Sequence, residues 1–133
     1  MKIVDIEGIG PAYAAKLTAA GVETTDDLLA RAGTKAGRQA LAATTDVSEQ
    51  LILEWANHAD LMRIKGVGSE YSDLLEAAGV DSPAELAQRN AANLAQTFQE
   101  LDAARNTVRR IPTQEVIQGW IDEAKTLPRA VEH

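Results

Sequence analysis

Cysteine is absent from the 133 residues. That excludes a disulfide framework, a thiolate nucleophile and any Cys-based zinc site. Aromatic residues are scarce, with two Trp, two Tyr and one Phe, so the 45% hydrophobic content is carried mainly by Ala, Leu, Val and Ile. Side chains of this kind favour closely packed helices. No apolar run approaches the roughly 20 residues needed to cross a bilayer. The start MKIVDIEG has an acid at Asp5 and no extended apolar segment, which is unlike a signal peptide. A soluble, cytoplasmic chain with no membrane partner is expected. Positive charge is also in short supply: 13 Lys and Arg stand against 20 Asp and Glu, a net charge of −7. Residues 1–60 hold nine acids and five bases, and residues 61–133 hold eleven and eight, so neither half is basic. The field of such a chain repels polyanions. Any nucleic-acid site must be local, built on few phosphate contacts, and sensitive to salt.

What the sequence does have is a repeat. IEGIGPAYAAKL at residues 6–17 returns as IKGVGSEYSDLL at 64–75, and over residues 6–22 against 64–80 nine of seventeen pairs are identical. They include Gly8/Gly66, Gly10/Gly68, Tyr13/Tyr71, Leu17/Leu75 and Gly21/Gly79, at a constant offset of 58. A looser match sets LILEW at 51–55 against VIQGW at 116–120, offset by 65. Two units follow, 1–60 and 61–127, with a tail at 128–133.

The punctuation of each unit is helical. Pro11 suits a first helical position and Gly21 a helix end, which predicts a helix from Pro11 to Ala20 and its copy from Ser69 to Ala78. Thr24 or Thr25 caps a short helix to about Ala32, and Thr34 one to about Ala43. Ser82-Pro83-Ala84-Glu85 reads as a capping box. Longer apolar stripes run through Leu51, Ile52, Trp55, Ala59 and Met62, through Leu94, Phe98, Leu101 and Val108, and through Val116, Ile117, Trp120, Ile121, Ala124 and Leu127. They predict helices over about 48–62, 91–110 and 113–127. No segment alternates as a half-buried strand does. The expected class is all-α.

Each repeated turn has the form apolar-x-Gly-apolar-Gly-x-x-x-small-x-x-apolar. The glycines permit backbone angles closed to side chains and allow close approach. The apolar residue between them plugs into the core, and amides at the start of the outgoing helix face outward. A helix end of this kind carries about half an elementary charge and receives phosphate oxygens readily.

This pattern resembles the helix-hairpin-helix motif, and its duplicated form resembles a bacterial family of tandem helix-hairpin-helix proteins, a domain of unknown function. The resemblance covers about residues 3–129. It implies two helix-hairpin-helix units in one pseudo-twofold bundle, with sequence-independent DNA binding through hairpin amides. Related units also serve as packing or protein-binding modules. Carried onto this chain, the donors are Gly8, Ile9, Gly10 and Ala12 in the first turn, with Lys16 on the helix that follows. In the second turn they are Gly66, Val67, Gly68 and Ser69, flanked by Arg63 and Lys65. Glu7 stands where the second copy has Lys65, and Pro11 removes one donor, so the second turn is the favoured site. Because residues 1–5 are too few for a helix leading into the first turn, the helix of Trp120 is expected to fold back and support it, in the same chain or in a dimer.

The remaining polar residues read as structural. Trp55 and Trp120 belong to the core, and Tyr13 and Tyr71 are half-buried. His58 is a surface or capping residue. Arg31, Lys35 and Arg38, like Arg105, Arg109 and Arg110, lie on solvated, ion-paired faces. No nucleophile–base pair, P-loop or dinucleotide fingerprint occurs, so neither an enzyme nor a cofactor is expected. Two functions stay open: weak, salt-sensitive DNA binding, or an interaction module for a protein partner or a second copy.

Overall fold

The computed structural model describes residues 1–105 and 110–133, Arg105 by its backbone alone. Among these the chain is all-α, with eight α-helices, one 3-10 turn and no β-strand. It divides into two compact units: Met1–Asp60 with Ala130–His133, and Leu61–Arg129.

The first unit begins with a short extended pairing, in which Thr25 N donates to Met1 O (2.8 Å) and Ile3 N to Glu23 O (3.1 Å). A 3-10 turn, Ile3–Asp5, leads into the first glycine turn in place of a full helix. Beside it opens a pocket of about 300 Å3, partly lined by Ile3, Val4, Ala14 and Thr18. Helix α1, Pro11–Ala19, starts on its proline. It closes with Gly21 at φ +88° and Val22 N bonded back to Leu17 O (2.9 Å), the hydrogen-bond pattern that glycine makes possible at a helix end. Helix α2, Thr25–Ala32, carries a full capping box: Thr24 Oγ1 accepts from Asp27 N, while Asp27 Oδ2 accepts from Glu23 N and Thr24 N. The Glu23 amide, foremost among these bonds, holds the Asp27 carboxyl below its ordinary value. Helix α3, Lys35–Thr45, is capped by Thr34 and packs on α2; α4 follows as Glu49–Leu61. Leu17, Leu28, Leu41 and Ile52 are fully buried in this unit.

The second unit holds α5 (Ser69–Ala77), α6 (Pro83–Leu86), α7 (Ala91–Arg105) and α8 (Gln114–Ala124). Helix α8 packs on α6 and α7, and α5 on α7, around a core that includes Leu74, Leu75, Leu86, Phe98, Ile117, Trp120 and Ile121. Burying aliphatic and aromatic side chains of this size stabilises a fold by about 1.5–3 kcal/mol each. The expected helix to residue 110 is described as far as Arg105; the Arg105–Arg109 face lies outside the described residues. At α6, Ser82 caps Glu85 N, but the Glu85 carboxylate turns to Arg89 (3.2 Å) rather than back to the cap.

Three expectations are corrected. Helix α8 supports the second glycine turn, in its own unit: Trp120 meets Tyr71 with ring centroids 5.3 Å apart, while the first turn has its own tryptophan, Trp55, 5.1 Å from Tyr13. Each turn is thus backed by the tryptophan helix that closes its own unit. His58 is buried, at 5% exposure. Arg38 is buried too, at 4%, with its guanidinium on the carbonyls of Ala32, Gly33 and Glu132. Carbonyl oxygens, rather than carboxylates, satisfy this charge.

Candidate functional site

The two glycine turns are built alike. Ile6 N donates to Ile3 O (3.0 Å) and Ile9 N to Ile6 O (3.1 Å); in the copy, Ile64 N donates to Leu61 O (3.1 Å) and Val67 N to Ile64 O (3.0 Å). Ile6, Ile9, Ile64 and Val67 are all buried, so each turn is pinned to its core by two aliphatic side chains. Gly8 and Gly66 both take φ +89°, a conformation that L side chains rarely adopt. The indole Nε1 of Trp55 lies 3.7 Å from where a Cβ on Gly8 would sit, and that of Trp120 lies 3.4 Å from the Gly66 position. The first glycine of each pair is therefore fixed by its backbone angle, with an indole edge against it.

The second glycine of each pair is different. Gly10 (φ −80°, ψ −180°) and Gly68 (φ −96°, ψ −164°) have extended backbones open to any residue, and a Cβ on either would meet nothing within 4 Å. Both are N-caps, and neither offers a side-chain cap, whereas Thr24, Thr34, Ser82 and Thr113 cap α2, α3, α6 and α8 through their hydroxyls. Neither conformation nor internal crowding requires glycine at these two positions. Their effect is to leave the cap positions themselves, Gly10 and Gly68, without a side chain over the helix starts.

The anticipated donor set changes accordingly. The amides of Ile9 and Val67 are spent on internal carbonyls and drop out. Among the described residues no acceptor meets the amides of Gly8, Gly10, Ala12, Gly66 or Gly68. Gly8, Gly10, Ala12 and Gly66 are exposed and Gly68 is half-buried. Lys16 is exposed and shares a helix face with Ala12 through i,i+4 spacing.

The flanks of the second turn are more committed than the sequence suggested. Arg63 donates from Nη2 to Pro128 O (2.8 Å), and the amide of Lys65 is held by both Glu123 carboxylate oxygens (3.1 and 3.2 Å). An internal carboxylate thus occupies the entry side of this turn, while the Lys65 side chain remains exposed. In the repeat register the first unit has His58 where the second has Glu123. Sequence reasoning missed Glu123, although its place one turn beyond Trp120 was the available signal. It also missed a repeated arginine: Arg31 donates to Ala20 O (2.8 Å) and Arg89, 58 residues on, to Gly79 O (3.2 Å), tying down the ends of α1 and α5. The offset of 58 alone could have paired them.

Among the described residues no three His, Asp or Glu side chains gather as a metal site, and no helix is long and apolar enough to cross a membrane. Over residues 7–127 the chain matches the family described as a domain of unknown function, DUF4332, and it belongs to that family. No curated protein and no solved structure matches it.

Proposed function

We propose that this chain is a non-catalytic, sequence-independent nucleic-acid-binding protein, DNA preferred, which grips phosphate oxygens at its two glycine turns in the manner of a tandem helix-hairpin-helix protein. The observation that carries the reading is the pair Gly10 and Gly68, two caps that neither backbone angle nor packing obliges to be glycine. A residue without a Cβ lets an anion come close to the cap amide, and the start of a helix favours negative charge there. The first turn contributes Gly8, Gly10 and Ala12 with Lys16 on the same side. The second contributes Gly66 and Gly68 with the Lys65 side chain; its Glu123 carboxylate works against it. Both turns therefore take part.

Fluorescence anisotropy with single-stranded DNA, duplex DNA and RNA tests this. With about two phosphates neutralised, affinity falls about tenfold between roughly 50 and 200 mM salt. Gly10→Asp with Gly68→Asp, which plants a carboxylate in each turn, abolishes binding. A signal indifferent to salt, or unmoved in that double variant, sinks the proposal. The second reading, an interaction module without nucleic acid, is favoured by the net charge of −7 and by Glu123 on the Lys65 amide. It is the one to adopt if no probe binds at about 50 mM salt.

A further inference from the structure

We propose, resting on the nucleic-acid reading above, that Tyr13 is a stacking platform for an unpaired base, which makes single-stranded DNA the ligand of the first turn. The two turns carry the same Tyr–Trp pair, at 5.1 Å between ring centroids in the first and 5.3 Å in the second. They use the tyrosine differently. In the second, the Tyr71 hydroxyl donates to Arg110 O (2.7 Å) and the side chain is half-buried. That carbonyl belongs to the connection into α8, where the repeat offset has grown from 58 to 65. The first unit passes from α3 to α4 through residues 46–48 alone, and among the described residues no partner meets the Tyr13 hydroxyl. Expected to be half-buried, Tyr13 is instead exposed, at 37%. The second unit spends its phenol on itself, whereas the first presents one to solvent.

Helical side chains lean toward the N-terminus, so that of Tyr13, the third residue of α1, reaches back over the turn that Gly10 opens. A Cβ on Gly10 would meet nothing within 4 Å, so the space beside the cap is open. The uncommitted amides of Gly10 and Ala12 lie at this same end of α1, and the exposed Lys16 is a neighbour of Tyr13 through i,i+3 spacing. Trp55, buried at 2% exposure, braces the phenol ring edge-on, which limits the freedom lost when a base settles on it. A duplex hides its base faces within the stack and offers the turn its phosphates alone. A single strand offers both a phosphate and the face of whichever base adjoins it. Stacking of one base on one aromatic side chain changes affinity about tenfold. The second turn, with Tyr71 tied to Arg110, has no such means of telling the two ligands apart.

Fluorescence anisotropy of the full chain at about 50 mM salt tests this with labelled oligothymidylate, an abasic strand of equal length and a duplex of that length. The wild type binds oligothymidylate about tenfold more tightly than the abasic strand, and more tightly than the duplex. Tyr13→Leu removes that advantage and leaves abasic binding unchanged, while Tyr13→Phe, which keeps the ring, retains it. Equal affinity for oligothymidylate and the abasic strand, a preference for duplex, or an advantage that survives Tyr13→Leu or is lost in Tyr13→Phe overturns the platform and leaves phosphate binding standing. If none of the probes binds, the nucleic-acid reading itself fails and the platform falls with it. Should Tyr13→Leu not fold, photocrosslinking of the wild type to an oligothymidylate carrying iododeoxyuridine decides. An adduct on Tyr13 in peptide mass mapping supports the platform; adducts elsewhere, or none, overturn it.

Discussion

At the scale of single residues, the glycines of each turn have separable duties. Gly66 stands at φ +89° with the Trp120 edge beside it, and Gly68 has an ordinary extended backbone facing open space. Gly66→Ala must hold a methyl-bearing residue in a sparsely populated conformation, at a cost of about 1–3 kcal/mol. Gly68→Ser adds a hydroxyl able to cap α5 as Thr24 caps α2, and it leaves stability unchanged or raises it by a few tenths of a kcal/mol. Urea unfolding of the two variants should show this opposition. Equal losses would mean that Gly68 has a structural duty after all, and would remove the reason to see it as an opening for a ligand. Arg38 teaches a related lesson. From the sequence it is one base among others on a polar helix. In the fold it is a buried donor for three carbonyls, because the residues that need it, Gly33 and Glu132, are assembled only by tertiary structure.

Among the elements, the local signals were legible and the pairings were not. Pro11, Thr24, Thr34, Ser82-Pro83 and Thr113 each start a helix where their chemistry says they should, and Gly21 and Gly79 end two, because caps act within a single turn. The all-α class and the buried Ile9 and Val67 plugs follow from the same short-range logic. Which turn the Trp120 helix supports is a long-range question to which periodicity has no answer, and the repeat pointed to the wrong partner. The donor set was half legible for the same reason: the pattern locates the turns, but only coordinates reveal that Ile64 O and the Glu123 carboxylate already hold the amides of Val67 and Lys65. Helix α8 nevertheless yields a firm expectation. Trp120 is 4% exposed and lies against both Tyr71 and the Gly66 turn. Trp120→Ala should cost about 3–5 kcal/mol in chemical denaturation. A loss below about 1 kcal/mol would show that the turn holds its form without the indole.

For the molecule as a whole, the question is whether a net charge of −7 governs encounters with a polyanion or merely sets their background. Exposed charges more than about 8–10 Å apart are largely screened at physiological salt. A grip confined to a few amides is therefore sensitive to the charge at the turn and nearly indifferent to the total. Two reversals separate the cases, because each changes the net charge from −7 to −5. Glu7→Lys alters the first turn itself and recreates there the pattern of Lys65 in the second. Glu49→Lys alters the exposed start of α4, six residues before Trp55, or about 9 Å along the helix axis. If phosphate is held locally, Glu7→Lys should raise DNA affinity several-fold at about 150 mM salt, while Glu49→Lys leaves it within a factor of about two. Below about 10 mM salt, where the Debye length reaches ~30 Å, the two variants should converge. Equal gains at the higher salt would mean that the whole-molecule field, and not the glycine turns, governs the encounter, and the turns would then lose their claim to be the site.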